Sequence, residues 1–235
     1  MSDRSFFGIC ILFLAVLAPA AWAGDAATFV DLGFSPDGKN YMFAQYGVES
    51  ATLKPWSELF VVDVPKNNFV SGGRVSYVHT GPVTPGQDGS GAFYTLLTGN
   101  AALAKSHRID FTRQSQPLYI SLDNGPLEEG KSETVEFRDF DTGSTYAATL
   151  VPYVEGAGAD LKSSFYINLV RTAADGTVKK YVVGTPQVKR PQIIAYRIRR
   201  AMIAPKDGSL IFVVEMRRRS PGGFDLRYMV EALRL

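Results

Sequence analysis

Two histidines, one cysteine and a set of scattered carboxylates are the side chains of this sequence that could perform nucleophilic or acid–base chemistry. A Ser-His-Asp or Cys-His triad needs a base beside its nucleophile. His79 follows a predicted strand, His107 ends a predicted helix, and Cys10 lies in an N-terminal segment that we expect to be removed. The sequence has no Gly-x-Ser-x-Gly elbow, and two distant histidines do not build a zinc site. We therefore predict no catalytic triad, no metal and no cofactor.

Carboxylates leave one catalytic alternative open. A pair of them could cleave a glycosidic bond, one acting as acid and the other as base or nucleophile. Such an enzyme would have a concave pocket holding two carboxyls, one with a raised pKa. The candidate carboxylates are Glu128, Glu129, Glu133, Glu136, Asp31, Asp37 and Asp63.

Basic side chains are concentrated near the C-terminus. The segment Gln187–Leu235 has eleven basic and four acidic residues, a net charge of +7, whereas Gly24–Pro186 carries −5. A turn at Pro205–Gly208 would make two neighbouring strands and bring their far ends together. The result is one basic patch able to bind a polyanion, formed by Lys189, Arg190, Arg197, Arg199, Arg217, Arg218 and Arg219. The alternative is a solvated sheet edge whose charges block aggregation.

The first 23 residues have the pattern of a secretory signal peptide. Arg4 precedes the apolar run Phe6–Leu17, and Ala21-Trp22-Ala23 is a small-x-small cleavage site. The run is short for a membrane span, and no second stretch is long enough for one. We therefore expect residues 1–23 to be cleaved and residues 24–235 to form a single exported domain. Its lack of cysteine favours a bacterial periplasm.

Strand and turn signals recur along the exported part. Ser35–Asn40, Asp141–Gly143, Ala173–Gly176 and Pro205–Gly208 read as turns between β-branched or alternating segments. Helical spacing occurs once, over Ala92–His107, with Ser90 as a possible N-cap. The sequence predicts a mainly β domain of about ten antiparallel strands and one short helix, as a two-sheet sandwich-like or partial-propeller fold.

The two ends of the domain echo each other. Phe34-Ser35-Pro36-Asp37-Gly38 and a following Tyr41-Met42-Phe43 correspond to Ala204-Pro205-Lys206-Asp207-Gly208 and Leu210-Ile211-Phe212. This unit resembles the repeat of TolB-type β-propellers, although Lys206 is an insertion and the intervening residues hold no third copy.

A longer resemblance covers most of the exported part. It is carried by LGFSPDGKNYMFAQYG (Leu32–Gly47), ELFVVDVPKN (Glu58–Asn67), VEFRDFDTGSTY (Val135–Tyr146), KRPQIIAYRIRR (Lys189–Arg200) and LRYMVEALRL (Leu226–Leu235). Together these segments resemble an uncharacterised family of predicted secreted bacterial proteins, mainly from spirochaetes. The resemblance implies export and a single domain, and it transfers no functional residue.

These observations favour a non-catalytic periplasmic binding or scaffold protein that uses its basic C-terminal face or an exposed strand edge. Its partner would be an envelope protein or an anionic cell-wall or lipid component, and export argues against nucleic acid. The alternatives are a carboxylate-dependent cell-wall or glycan hydrolase and an envelope-associated β-barrel. The oligomeric state stays open.

Overall fold

Three antiparallel β-sheets stacked face to face make up the protein. The computed structural model describes residues 24–122, 125, 127–221 and 223–235. The predicted signal peptide lies outside these residues. The mainly β, sandwich-like architecture is confirmed, with the strands distributed over three sheets.

The first sheet is a four-strand meander near the N-terminus, with the strands in chain order. It comprises β1 (Thr28–Phe34), β2 (Asn40–Val48), β3 (Pro55–Asp63) and β4 (Asn68–Val78). The turn predicted between β1 and β2 is confirmed. Gly38 has a φ of +75°, and Ser35 Oγ donates to Asp37 Oδ1 at 2.6 Å, which closes the turn.

Two helices cover the outer face of the first sheet. They are α1 (Ser90–Gly99) and α2 (Ala101–Ser106), so the single helix predicted over Ala92–His107 is divided at Asn100. The side-chain Nδ2 of Asn100 donates to the carbonyl oxygen of Leu96 at 2.8 Å, at the end of α1. Phe93 and Leu96 pack on Leu59 and other apolar residues of the sheet.

The remaining strands build the middle sheet and the third sheet. β5 (Gln116–Ile120) belongs to the middle sheet. The third sheet consists of β6 (Glu133–Arg138), β7 (Thr145–Glu155), β8 (Lys162–Thr172), β9 (Val178–Val183) and the short β10 (Arg190–Pro191). The middle sheet adds β11 (Ile193–Ile203), β12 (Leu210–Ser220) and β13 (Gly223–Leu233), in the order β13-β12-β11-β5.

Burial on both faces explains the apolar sequence of the middle sheet. Ile211 and Val213 pack against Tyr41 and Phe43 of the first sheet, whereas Phe212 and Val214 pack against the third. A strand buried on both sides needs a continuous apolar run rather than an alternating one. β12 and β13 stay paired as far as Ser220 and Gly223.

The echoed turns lie close together, in different sheets. A Cβ added to Gly38 in the first turn would lie 3.6 Å from the carboxylate of Asp207 in the second. An isolated parallel bridge between Ala26 and Leu226 also links the start of the described chain to β13. The two repeated units therefore pack face to face and lie in different sheets.

Candidate ligand-binding cleft

A cleft of about 620 Å³ opens where the three sheets meet. Its first wall is the inner face of β3 and β4, which the middle sheet leaves uncovered at this side. Its other walls are the edge of the middle sheet and the segment around β10. We call it the intersheet cleft. The side chains that define it are Trp56, Glu58, Phe60, Phe69, Arg74, Ser76, Val78, Val188, Arg190, Met216, Arg218, Arg227 and Met229.

A second cavity of about 360 Å³ extends the cleft beyond Trp56. It lies between the β2–β3 loop, which contributes Lys54, and the β12–β13 turn. Trp56, Arg218 and Arg227 line both spaces, so the two form one elongated site. Trp56 and Phe60 are four residues apart on the same strand, which places them about 13 Å apart along the cleft. Such a shape suits an extended ligand.

Asp25 anchors one end of this site. Its Oδ2 accepts a hydrogen bond from Trp56 Nε1 at 2.5 Å and another from Arg227 Nη2 at 2.7 Å. The Arg227 guanidinium lies 4.0 Å from the centre of the Trp56 ring, a cation–π contact. Glycine is needed at position 47 because a Cβ there would lie only 2.7 Å from Asp25 Oδ1. These contacts fix the orientation of both the indole and the guanidinium.

Glu231 anchors the other end and joins all three sheets. It lies on β13, accepts a hydrogen bond from Asn67 Nδ2 at 2.5 Å, and lies 3.8 Å from Arg190 Nη2. Asn67 belongs to the turn after β3, and Arg190 also lies 5.1 Å from the Phe165 ring of the third sheet. The position of Arg190 in the cleft is therefore set by contacts to two sheets.

The arginines of the cleft are more exposed than the carboxylates that hold them. Arg218 Nη2 is 2.7 Å from Asp225 Oδ2, yet the Arg218 side chain is 44% exposed and that of Asp225 only 9%. Arg74 and Glu58, whose nearest atoms are 3.1 Å apart, are 64% and 22% exposed. Arg227 and Arg190 are likewise more exposed than Asp25 and Glu231. Guanidinium donors therefore dominate the polar surface that a ligand would meet.

Burial and charge shift the titration of these carboxyls in different directions. Burial raises the pKa of Asp25, although Arg227 and Trp56 oppose the rise. Burial also raises the pKa of Glu231. Burial acts the same way on Asp225, but the hydrogen bond from Arg218 and the charge of Arg227 outweigh it, so its pKa lies below the usual value.

The structure brings only part of the predicted basic patch to the cleft. The predicted meeting of strand ends is confirmed, because the Arg219 amide donates to the Gln192 carbonyl at 2.8 Å. Among the described lining residues, Arg190 and Arg218 come from the patch. The other patch members contact groups elsewhere: Lys189 with Glu155, Arg197 with Glu133, Arg199 with Glu215, Arg217 with the Phe224 ring, and Arg219 with Glu129.

Most of the carboxylates that the sequence offers for hydrolysis form ion pairs with different basic side chains. Glu128 and Glu133 line one shallow pocket of about 220 Å³, where Glu128 pairs with Lys131 and Glu133 with Arg197. The structure places two other carboxyls, Asp25 and Asp225, together in the 360 Å³ cavity.

Several cleft residues were not identified from the sequence as site residues. Asp25 and Arg227 are 202 positions apart, and nothing local to either reveals the other. Two signals were available: Trp56 is the only tryptophan in residues 24–235, and Asp225 and Arg227 are separated by two positions on one strand. Opposite charges with that spacing share one face of a sheet.

Among the described residues, no three histidine, cysteine or carboxylate side chains are grouped so as to hold a metal ion. The described part of the chain also has no helix of sufficient length and hydrophobicity to cross a membrane.

Comparison with known proteins assigns a family. No curated protein and no solved structure matches the chain significantly. Residues 42–234 match the family described as "Predicted secreted protein (DUF2259)". The match spans β3 to β13 and most of β2, and so includes nearly all of the intersheet cleft. The chain is a member of this family of predicted secreted proteins.

Proposed function

We propose that this protein is a non-catalytic, exported binding protein of the bacterial envelope, and that it holds an anionic envelope component in the intersheet cleft. One observation carries the proposal: Arg218 and Arg74 are 44% and 64% exposed, while their carboxylate partners, Asp225 and Glu58, are only 9% and 22% exposed. An arginine fork offers five N–H donors, and Asp225 occupies only part of the Arg218 fork. Arg218 can therefore bind a carboxylate, phosphate or sulfonate without losing its anchor.

The apolar part of the cleft adds to this chemistry. Phe60, Phe69, Met216 and Met229 line it beside the arginines. A cleft of several hundred cubic ångströms with mostly apolar walls and a few placed polar groups is typical of ligand sites. The ligand that fits best has an acidic group next to an apolar portion.

A reporter of the same chemistry tests the proposal. The dye 8-anilinonaphthalene-1-sulfonate combines a sulfonate with aromatic rings, and Trp56 can transfer energy to it as the only tryptophan in residues 24–235. We expect saturable energy transfer. The affinity for the dye should fall at least fivefold in Arg218→Ser and in Arg74→Ser, and it should fall as salt is added.

The matched control is Arg219→Ser. Arg219 belongs to the same run of arginines and is 42% exposed, but it pairs with Glu129 rather than lining the cleft. It should leave the dye affinity unchanged. Equal affinity in all three variants, or no energy transfer, would contradict the proposal.

Glycan hydrolysis is a second candidate because one observation favours it. Asp25 and Asp225 line a single cavity beside Trp56, and their pKa values are shifted in opposite directions. Such a pair can divide the roles of acid and base. Release of soluble fragments from dye-labelled peptidoglycan by the wild type but not by Asp225→Asn would support it. No release by the wild type would exclude this substrate.

A further inference from the structure

β4 borders the intersheet cleft, and among the described strands it is hydrogen-bonded only to β3. Its other edge is therefore open. The direction of its backbone groups follows from the register. The His79 amide donates to the Pro55 carbonyl at 2.9 Å, and bonded pairs alternate along an antiparallel ladder. The bonded pairs are therefore Ser57–Tyr77 and Leu59–Val75. The N–H and C=O groups of Arg74, Ser76 and Val78 point to the open edge.

The side chains of the same three residues point into the cleft. Arg74, Ser76 and Val78 are paired with Phe60, Glu58 and Trp56, and all six line it. A strand added beside β4 would continue this face, so that every second side chain of the added strand enters the cleft. There it would meet the exposed guanidinium of Arg218 and, across the cleft, the partly buried guanidinium of Arg190.

The other edge at the cleft is closed by side chains. The Tyr228 amide of β13 donates to Gln45 Oε1 at 2.7 Å, and the Ala232 amide donates to Asn67 Oδ1 at 2.6 Å. Leu226 is bonded to Asp25 and Ala27. Side-chain caps of this kind prevent strand addition. Within the described residues, β4 has no equivalent caps on Ser76 or Val78, although both edges border the same cleft.

Arg74 determines which strand could be added. It is exposed on the open edge, and a second copy of β4 would bring another Arg74 to the same sheet. Like charges on an edge strand disfavour self-pairing, whereas an acidic segment would be attracted. The positive charge of the cleft therefore disfavours pairing of β4 with a second copy of itself and favours pairing with an acidic strand.

We infer that β4 binds an extended acidic segment of another envelope protein by strand addition, with alternate acidic side chains entering the cleft. This inference rests on the proposed function and specifies its partner. Main-chain hydrogen bonds to Ser76 and Val78 would supply affinity, and the arginines would supply selectivity.

A synthetic strand provides the test. The probe is a fluorescein-labelled nine-residue peptide of alternating glutamate and valine, titrated against the purified exported protein and followed by fluorescence anisotropy. We expect saturable binding, and no binding of the matched peptide with lysine in place of glutamate. Two further peptides carry N-methyl groups on alternate backbone nitrogens, one at the odd positions and the other at the even positions. Only one of them should lose binding, because only every second N–H of an added strand faces β4.

Two variants at one position isolate the backbone contribution. Ser76→Pro removes an N–H that points away from β3, so the ladder within the sheet is kept and only the open edge is blocked. It should weaken peptide binding at least tenfold. Ser76→Ala keeps the N–H and should bind within twofold of the wild type. Thermal unfolding of both variants shows that the fold is retained.

The outcomes separate this inference from the proposed function. If Ser76→Pro binds the glutamate peptide as tightly as the wild type, or if the lysine peptide binds equally well, strand addition is overturned, while dye binding that depends on Arg218 would leave the proposed function standing. Absence of peptide binding also overturns the inference. Vesicles containing phosphatidylglycerol are a separate arm, and binding to them that needs Arg218 but not an open β4 edge would favour a lipid ligand instead.

Discussion

Asn67 and Glu231 are 164 positions apart and yet hydrogen-bonded, with the Asn67 amide nitrogen 2.5 Å from the Glu231 carboxylate. The oxygen of the same amide accepts from the Ala232 N–H at 2.6 Å. Asn67 can do both because its backbone adopts a left-handed φ of 49°, a conformation that asparagine tolerates. One short side chain therefore joins the first sheet to the edge of the middle sheet.

Replacement of Asn67 by glycine should weaken this junction without straining the turn. Glycine accepts the left-handed φ, but it leaves the buried Glu231 carboxylate and the Ala232 amide with fewer partners. We expect a loss of about 1–3 kcal/mol in the free energy of unfolding, measured by urea denaturation. Asn68→Ala, at the exposed neighbouring position, should change it by less than about 0.5 kcal/mol. Equal losses in both variants would contradict this role for Asn67.

Glu231 should make the protein less stable as the pH rises. Burial raises its pKa in the folded state above the usual value of 4.5, so the folded protein binds the proton more tightly than the unfolded chain. Its contribution to stability is greatest below pH 4.5 and falls as the pH rises through the raised pKa. Glu231→Gln should reduce this decline between pH 4.5 and 7, measured by urea midpoints. Asp25, whose pKa is also raised, should sustain part of the slope in the variant. An unchanged slope would contradict the assignment to Glu231.

Two glycines should respond to alanine in opposite directions. At Gly47 a Cβ would lie 2.7 Å from Asp25 Oδ1 and 3.0 Å from the Trp56 ring, so Gly47→Ala should cost about 1–3 kcal/mol. At Gly91, within α1, a Cβ would meet nothing within 4 Å. Gly91→Ala should stabilise the protein, by up to about 1 kcal/mol. Thermal unfolding of both variants measures the difference, and destabilisation by Gly91→Ala would contradict the packing described.

Trp56→Phe should separate packing from hydrogen bonding at the end of the cleft. Phenylalanine keeps an aromatic face for Arg227 but removes the N–H that donates to Asp25. We expect a lower melting temperature, and a smaller loss in Trp56→Phe/Asp25→Asn than the sum of the two single losses, because the two groups interact directly. Additive losses would show that this hydrogen bond contributes little.

Local patterns in the sequence predict the hairpins but not the cleft. The sequence predicts the turns at Ser35–Asn40 and Pro205–Gly208 because glycine, proline and aspartate act on the backbone within a few residues. The cleft depends on Arg74, Arg190, Arg218 and Arg227, which the packing of three sheets brings together from four strands. The basic patch is predicted from charge and from the pairing of two strands through one turn. Charge does not reveal which arginines face a cavity and which, like Arg219, pair with carboxylates elsewhere.

The middle sheet takes its main strands, β11 to β13, from the last part of the chain. The first sheet is complete early in the chain, but the inner face that holds Tyr41 and Phe43 has its packing partners, Ile211 and Val213, more than 160 residues further on. Contacts at such separation form late in folding. Until β12 and β13 have been released, the aromatic face of the first sheet stays uncovered. The chain order thus delays completion of the core until nearly the whole chain is available.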